Sequence, residues 1–122
     1  MKTAMTREQT VRTYLAAMAR ADLEAVLQCF TPDGKVSSPV YGGVPVADFY
    51  RRLFADTAHA SVHIHTIYAS EHKLAAHFTY HWELKSGTKT TTDLVDLFDF
   101  APGSEKITHL QIVFDTAKIG KA

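Results

Sequence analysis

From residue 61 to residue 114 the chain reads as four runs rich in β-branched and aromatic residues, separated only by the short stretches SEHK, KSGT and APGSE. Runs of this composition between turn formers predict strands: Ser61 to Ser70, Lys73 to Lys85, Thr88 to Phe100 and Lys106 to Phe114. Turns this short join antiparallel neighbours, so nearly half the chain is committed to one meander. A sheet of this kind must bury one face, and the first half of the chain supplies the cover.

Thr6 and Gln9 have the spacing of a capping box, and Val11, Tyr14, Leu15 and Met18 then repeat at helical period, which predicts a helix to about Ala21. Asp22 caps a second helix whose stripe is Leu23, Val26, Leu27 and Phe30, with TPDG at Thr31 to Gly34 as its stop. A short strand, KVSSPV, follows and is broken by Pro39 and the Gly42-Gly43 pair. Pro45 then suits the first turn of a third helix, with Val46, Phe49, Tyr50, Leu53 and Phe54 on one side and an end near Thr57. The expected architecture is α+β, a curved antiparallel sheet wrapped into a cone and covered by three N-terminal helices. With 122 residues, 46% of them hydrophobic, residues 1–122 form a single domain around one core.

Thirteen basic residues balance thirteen acidic ones with no run of like charge, so nucleic acid and anionic membrane are not expected partners. No apolar run approaches the ~20 residues of a membrane span, and nothing resembles a signal peptide. The lone Cys29 cannot form an internal disulfide and reads as a buried structural thiol. A cytoplasmic protein is the expectation. YGGV, Tyr41 to Val44, lacks phosphate-loop spacing and a lysine and reads as a turn.

The stretch TDLVDLFDF carries the most chemical information. Alternation places Leu94, Asp96, Phe98 and Phe100 on one face, so one acid sits in an apolar set. An isolated carboxylate there is expensive; the group stays protonated or finds a partner. Tyr14 belongs to the helix stripe that faces the sheet, and its hydroxyl also needs a polar partner. Two such donors in one dry hollow can stabilise an oxyanion. Equally, the acid can be satisfied by backbone or an arginine, and the tyrosine can be plain core. Phe49, Phe78, Tyr80, Trp82, Phe98, Ile112 and Phe114 either line a pocket for a flat hydrophobic small molecule or fill the cone.

If Val62, Ile64, Phe78, Tyr80 and Trp82 point inward, then His63, His65, His77 and His81 all point outward, unless a bulge shifts one strand. Alternate histidines on adjacent strands can converge on a metal, but no accepted motif supports that here, and neither a metal nor a cofactor is expected. The histidines fit a polar outer face packed against a second subunit. His109 also alternates outward, His72 falls in a turn, and Asp115 reads as a solvated terminal acid.

The run TYLAAMARADLEAVLQCFTPDGKVSSPV, Thr13 to Val40, resembles the opening of bacterial ketosteroid isomerases in spacing and residue type. That resemblance implies that Tyr14 is the oxyanion-hole tyrosine. VDLFDF resembles the segment holding the protonated oxyanion-hole aspartate, which implies that role for Asp96. The chain as a whole is similar to SnoaL-like members of the nuclear transport factor 2-like superfamily. This implies a cone-shaped, cystatin-like α+β barrel, commonly a homodimer. In the isomerases an aspartate precedes the proline of the first strand and moves the proton; here that position is Ser38. A serine hydroxyl is a poor base, and losing the base removes about 10²- to 10⁴-fold in rate, so steroid isomerisation itself is not expected.

The functional expectation is therefore a hydrophobic carbonyl or phenolic ligand held by Tyr14 and Asp96, with Ser38 as an orienting group, and isomerase or cyclase chemistry through an enolate. The rival is a non-catalytic binding or dimerisation module with a filled cone. A metal-dependent enzyme using the histidines is a third reading.

Overall fold

The computed structural model describes residues 5–39, 42–70 and 73–115. Its elements run α1 (Arg7–Ala19), α2 (Leu23–Gln28), β1 (Phe30–Ser37), β2 (Val44–Pro45), α3 (Val46–Ala55), β3 (Thr57–Ala69), β4 (Lys73–Leu84), β5 (Lys89–Phe100) and β6 (Ile107–Val113).

The capping box forms as the spacing predicts: the Gln9 amide donates to Thr6 Oγ1 at 3.1 Å and the Thr6 amide to Gln9 Oε1 at 2.8 Å. Helix α1 ends two residues before the expected Ala21, because Ala21 turns left-handed at φ 54° and hands the chain to Asp22. The Asp22 carboxylate then accepts from the Ala25 amide at 3.1 Å and starts α2. Pro45 is the residue before α3 rather than its first turn, and α3 closes at Ala55, so that Thr57 already begins β3.

The four-strand meander β3–β4–β5–β6 is antiparallel throughout, but the whole sheet is mixed. Strand order is β2-β1-β6-β5-β4-β3, and β1 lies parallel to β6. Short-turn reasoning governs only neighbours in sequence, and β1 and β6 are separated by more than half the chain. Helix α2 ends at Gln28, ahead of TPDG, but Phe30, expected on its stripe, already begins β1, and TPDG lies inside that strand, where the register slips between Phe30 and Lys35. Residues 31–34 there face the single Thr108, since Phe30 pairs with Ile107 and Lys35 with His109. Gly34 is buried in this bulge against Phe30, and a Cβ at that position would come within 2.9 Å of the Phe30 ring.

A second bulge falls at His65. Ile64 pairs with Phe78, but Thr66 rather than His65 pairs with His77. The extra residue shifts the parity of the rest of β3, so Ile67 packs on the core while Tyr68 is 61% exposed. Helices α1 and α3 cover the concave side. Val11, Tyr14, Leu15, Val46 and Tyr50 close over Ala76, Phe78, Phe98, Ile107 and Leu110 in one cluster. Arg7 ties α1 to the β5–β6 turn, its Nε donating to the Ser104 carbonyl at 2.9 Å while its guanidinium sits 4.9 Å over the Phe100 ring. Among the described residues no helix is long and apolar enough to cross a membrane. Val40, Tyr41 of the YGGV turn, and Glu71 and His72 of the SEHK turn lie outside the described residues.

Candidate functional site

Three elements converge under the helices. Tyr14 comes from α1, Tyr50 from α3 and Asp96 from β5, and all three are at most 1% exposed. Asp96 sits where alternation placed it, on the inner face with Phe98. Its ladder neighbours are Ala76 on β4 and Ile112 on β6.

The hydroxyls of Tyr14 and Tyr50 are hydrogen-bonded to each other, and Tyr14 also donates to Met18 Sδ at 3.6 Å. Tyr50 is the residue that sequence reasoning missed as a site member; its helical stripe was visible, but its partner lies 36 positions away. The available signal was the one that singled out Tyr14, a phenol on an inward stripe that must satisfy its oxygen. Asp96 Oδ1 and the Tyr80 hydroxyl are buried with no hydrogen-bond partner among the described residues.

Burial pushes the Asp96 carboxyl well above the usual carboxylate range and so favours the protonated, donating form. Burial likewise raises Tyr14 well above a free phenol, reinforced by Tyr50 and then by Asp96. Tyr50 is raised first by burial and then by Asp96. Burial pushes the Tyr80 phenol up to about 12. The phenols therefore keep their protons at neutral pH, and the site presents O–H groups.

Aromatic rings hold this arrangement. The Tyr14 ring packs edge-on against Phe30 at 5.8 Å, Phe98 at 5.7 Å and Tyr50 at 5.9 Å between centroids. Of the expected pocket wall, Phe78, Phe98 and Tyr80 are buried, while Phe49, Ile112 and Phe114 are half-buried. Phe49 packs on Tyr50 at 4.8 Å. Trp82 is not brought beside the acid. It pairs with Ala60 and Thr90, six residues along β4 from Ala76, or about 20 Å of strand. Its indole N–H donates to Thr57 Oγ1 at 2.8 Å, which fixes it at the far end of the sheet. Ser38 lies one residue past β1, half-buried. A groove of about 450 Å³ lined by Leu27, Thr31, Lys35, Pro45 and Val46 lies apart from Tyr14, Tyr50 and Asp96.

The outer face is polar, as alternation requires: His63, His65 and His81 are exposed and His77 half-buried. Ser37 Oγ lies 2.8 Å from His109 Nε2, and His109 Nδ1 lies 3.5 Å from Asp99. This order mimics a hydrolase relay, but all three residues stand on ladder-paired strands whose backbone is committed to the sheet. An acyl-transfer site also needs free amides to receive an oxyanion, so we read the chain of contacts as a cross-strand brace. Cys29 is buried, its Sγ 3.5 Å from the Ala25 carbonyl, and burial raises its thiol.

The family model for the SnoaL-like domain matches residues 11–110, which spans both the helical cover and the meander. The chain belongs to the SnoaL-like domain family. Solved structures agree with this SnoaL-like fold. An NTF2-like protein of unknown function from Burkholderia pseudomallei superposes with a TM-score of 0.80 at 23% identity, covering 96% of this chain and 97% of that one. An LEH-like epoxide hydrolase from M. tuberculosis gives 0.79 at 18% identity, covering 94% and 86%. TerC, co-crystallised with polyporic acid, gives 0.79 at 17% identity, covering 94% and 95%. At such identities these likenesses establish the cone-shaped α+β fold of this SnoaL-like domain and nothing about its chemistry. Among curated proteins none matches the sequence.

Proposed function

We propose that this SnoaL-like domain binds a hydrophobic carbonyl or phenolic small molecule through Tyr14 and Asp96, and that any reaction it performs passes through an enolate. The observation that carries this reading is a fully buried carboxyl group, held toward its neutral form by burial, with Oδ1 unpartnered among the described residues and a phenol pair close enough to feel its charge. The two phenols own two protons and use one between them. With Tyr50 donating to Tyr14, the Tyr14 proton rests on Met18 sulfur, a weak acceptor that a ligand oxygen would displace. A second proton comes from Asp96. Two O–H donors preorganised in a water-poor site stabilise developing negative charge. A protein of the same fold, TerC, has been crystallised with a small organic molecule, polyporic acid.

Ser38 stands where the related isomerases carry their base, so the wild type should bind an enolate mimic without efficiently moving a proton. The test has two arms. A panel of naphthols should raise the melting temperature, and Asp96→Asn or Tyr14→Phe should abolish the rise. A β,γ-unsaturated ketone should be isomerised by Ser38→Asp and not appreciably by wild type. Robust wild-type turnover would refute the assignment of Ser38.

The second reading is a filled cone in which Tyr14 and Tyr50 merely satisfy each other; their mutual hydrogen bond favours it. It predicts no stabilisation by any member of the panel. For the outer face, where Tyr68, Leu97 and Val113 are exposed, we propose a second copy of the chain as the partner.

A further inference from the structure

The bulge of β3 between Ile64 and Thr66 leaves His65 out of the regular ladder, and two more ligand-bearing side chains stand next to it. We propose that His65, His77 and Asp93 form a divalent-metal site on the outer face of the sheet, with the donor set of Zn²⁺ or another late first-row cation.

Geometry comes first. One ligand atom from each of the three residues lies within 4.8 Å of the other two. An ion bound at about 2.1 Å in a tetrahedron needs its ligand atoms about 3.4 Å apart, so the remaining closure is small. It falls to side chains that are exposed at His65 and Asp93 and half-buried at His77, two of which are tethered to Thr79 and would exchange that contact for the ion. The three come from three adjacent strands: His65 from β3, His77 from β4 and Asp93 from β5.

The sheet has already gathered these groups. Asp93 pairs with Thr79, two residues from His77 on the same face of β4. The Thr79 hydroxyl donates to Asp93 Oδ1 at 2.7 Å and lies 2.7 Å from His65 Nε2, so one β4 side chain draws the β3 and β5 ligands together. The His65 and His77 rings are 4.7 Å apart, and the His63 ring lies 4.8 Å from that of His65. A bulge re-aims the side chain it carries, and here the extra residue of β3 is the histidine facing the other two groups.

Chemistry selects the ion. Two imidazoles and one carboxylate suit Zn²⁺, Ni²⁺, Cu²⁺ or Co²⁺, whereas Mg²⁺ and Ca²⁺ demand oxygen donors. The site is on the opposite face from Asp96, three residues along β5, and does not depend on the reading of the phenol cluster. An ion there would staple β3, β4 and β5 and would keep at least one open position for water or another donor.

The test titrates the intact chain with zinc chloride alone by calorimetry, alongside cobalt chloride followed by visible absorption. The expected result is one ion per chain, a melting temperature that rises with zinc, and a visible Co²⁺ band from nitrogen and oxygen ligation. His65→Ala and His77→Ala should each weaken binding by at least about tenfold, and Asp93→Asn should also weaken it. His81→Ala and His109→Ala, on the same face but outside the cluster, should leave it unchanged. Circular dichroism and melting without metal check that each variant is folded. Absence of saturable binding, undiminished binding in His77→Ala, or equal loss in His109→Ala would overturn the site.

Discussion

A carboxyl group 1% exposed between Ala76 and Ile112 can be charged only at a large desolvation cost, so the folded chain holds its proton to higher pH than the unfolded chain does. The sign follows. Stability from this group is complete below the unfolded value near 3.8 and is lost as pH rises through the elevated folded value. Urea melts of wild type and Asp96→Asn should therefore diverge from about pH 4 upward, wild type losing at most about 1.4 kcal/mol per pH unit relative to the variant until the native acid ionises. The phenol pair makes a second prediction. Tyr14→Phe and Tyr50→Phe should each cost about 0.5 to 1.5 kcal/mol, and the double variant less than their sum, because the hydrogen bond the two phenols share is lost in all three cases. Asp96 and Tyr14 were legible in the sequence because period two and period 3.6 each assign a face. The Tyr14–Tyr50 bond was not, because it depends on how α1 and α3 lie over the sheet, which no local pattern encodes.

Among the elements, β3 shows most plainly what a single residue does to a strand. Strict alternation from Val62 and Ile64 would bury Thr66 and Tyr68 and expose Ile67; the bulge at His65 reverses all three. Ile67→Ala should accordingly cost about 1 to 3 kcal/mol in chemical denaturation, and Tyr68→Ala should stay within about 0.5 kcal/mol provided it is measured on the monomer. Helix α1 carries its own test: Thr6→Ala removes the side-chain acceptor of the Gln9 amide, leaves the Thr6 backbone amide on Gln9 Oε1, and should cost about 1 kcal/mol. The capped starts of α1 and α2 and the β3–β6 meander were readable because caps and hairpin turns are local. The start of β1 at Phe30 was hidden because turn formers such as TPDG also build bulges, and only pairing with β6 reveals a kink inside a strand. The fate of Trp82 was hidden for a similar reason: its alternation was right, but position along the strand, rather than face, decides whether it meets Asp96.

For the whole molecule, the outer face joins an exposed apolar group to a polar histidine field. Tyr68 is 61% exposed, Leu97 38% and Val113 42%, an uncommon amount of large apolar surface on a sheet that also buries a complete core on its other side. Sedimentation should find a dimer, and Leu97→Asp should shift it to monomer without unfolding it, since Leu97 faces away from the helices. The mixed order β2-β1-β6-β5-β4-β3 has a further outcome. Strand β1 has no long neighbour except β6, and Arg7 waits for carbonyls at Ala101 and Ser104. On the ribosome, a nascent chain stopped before residue 107 can lay α1 on β3 and β4 but leaves β1 without its one long partner. Synthesis of this protein is thus a long exposure followed by one late closure, which makes its final strand the natural point of dependence on chaperones.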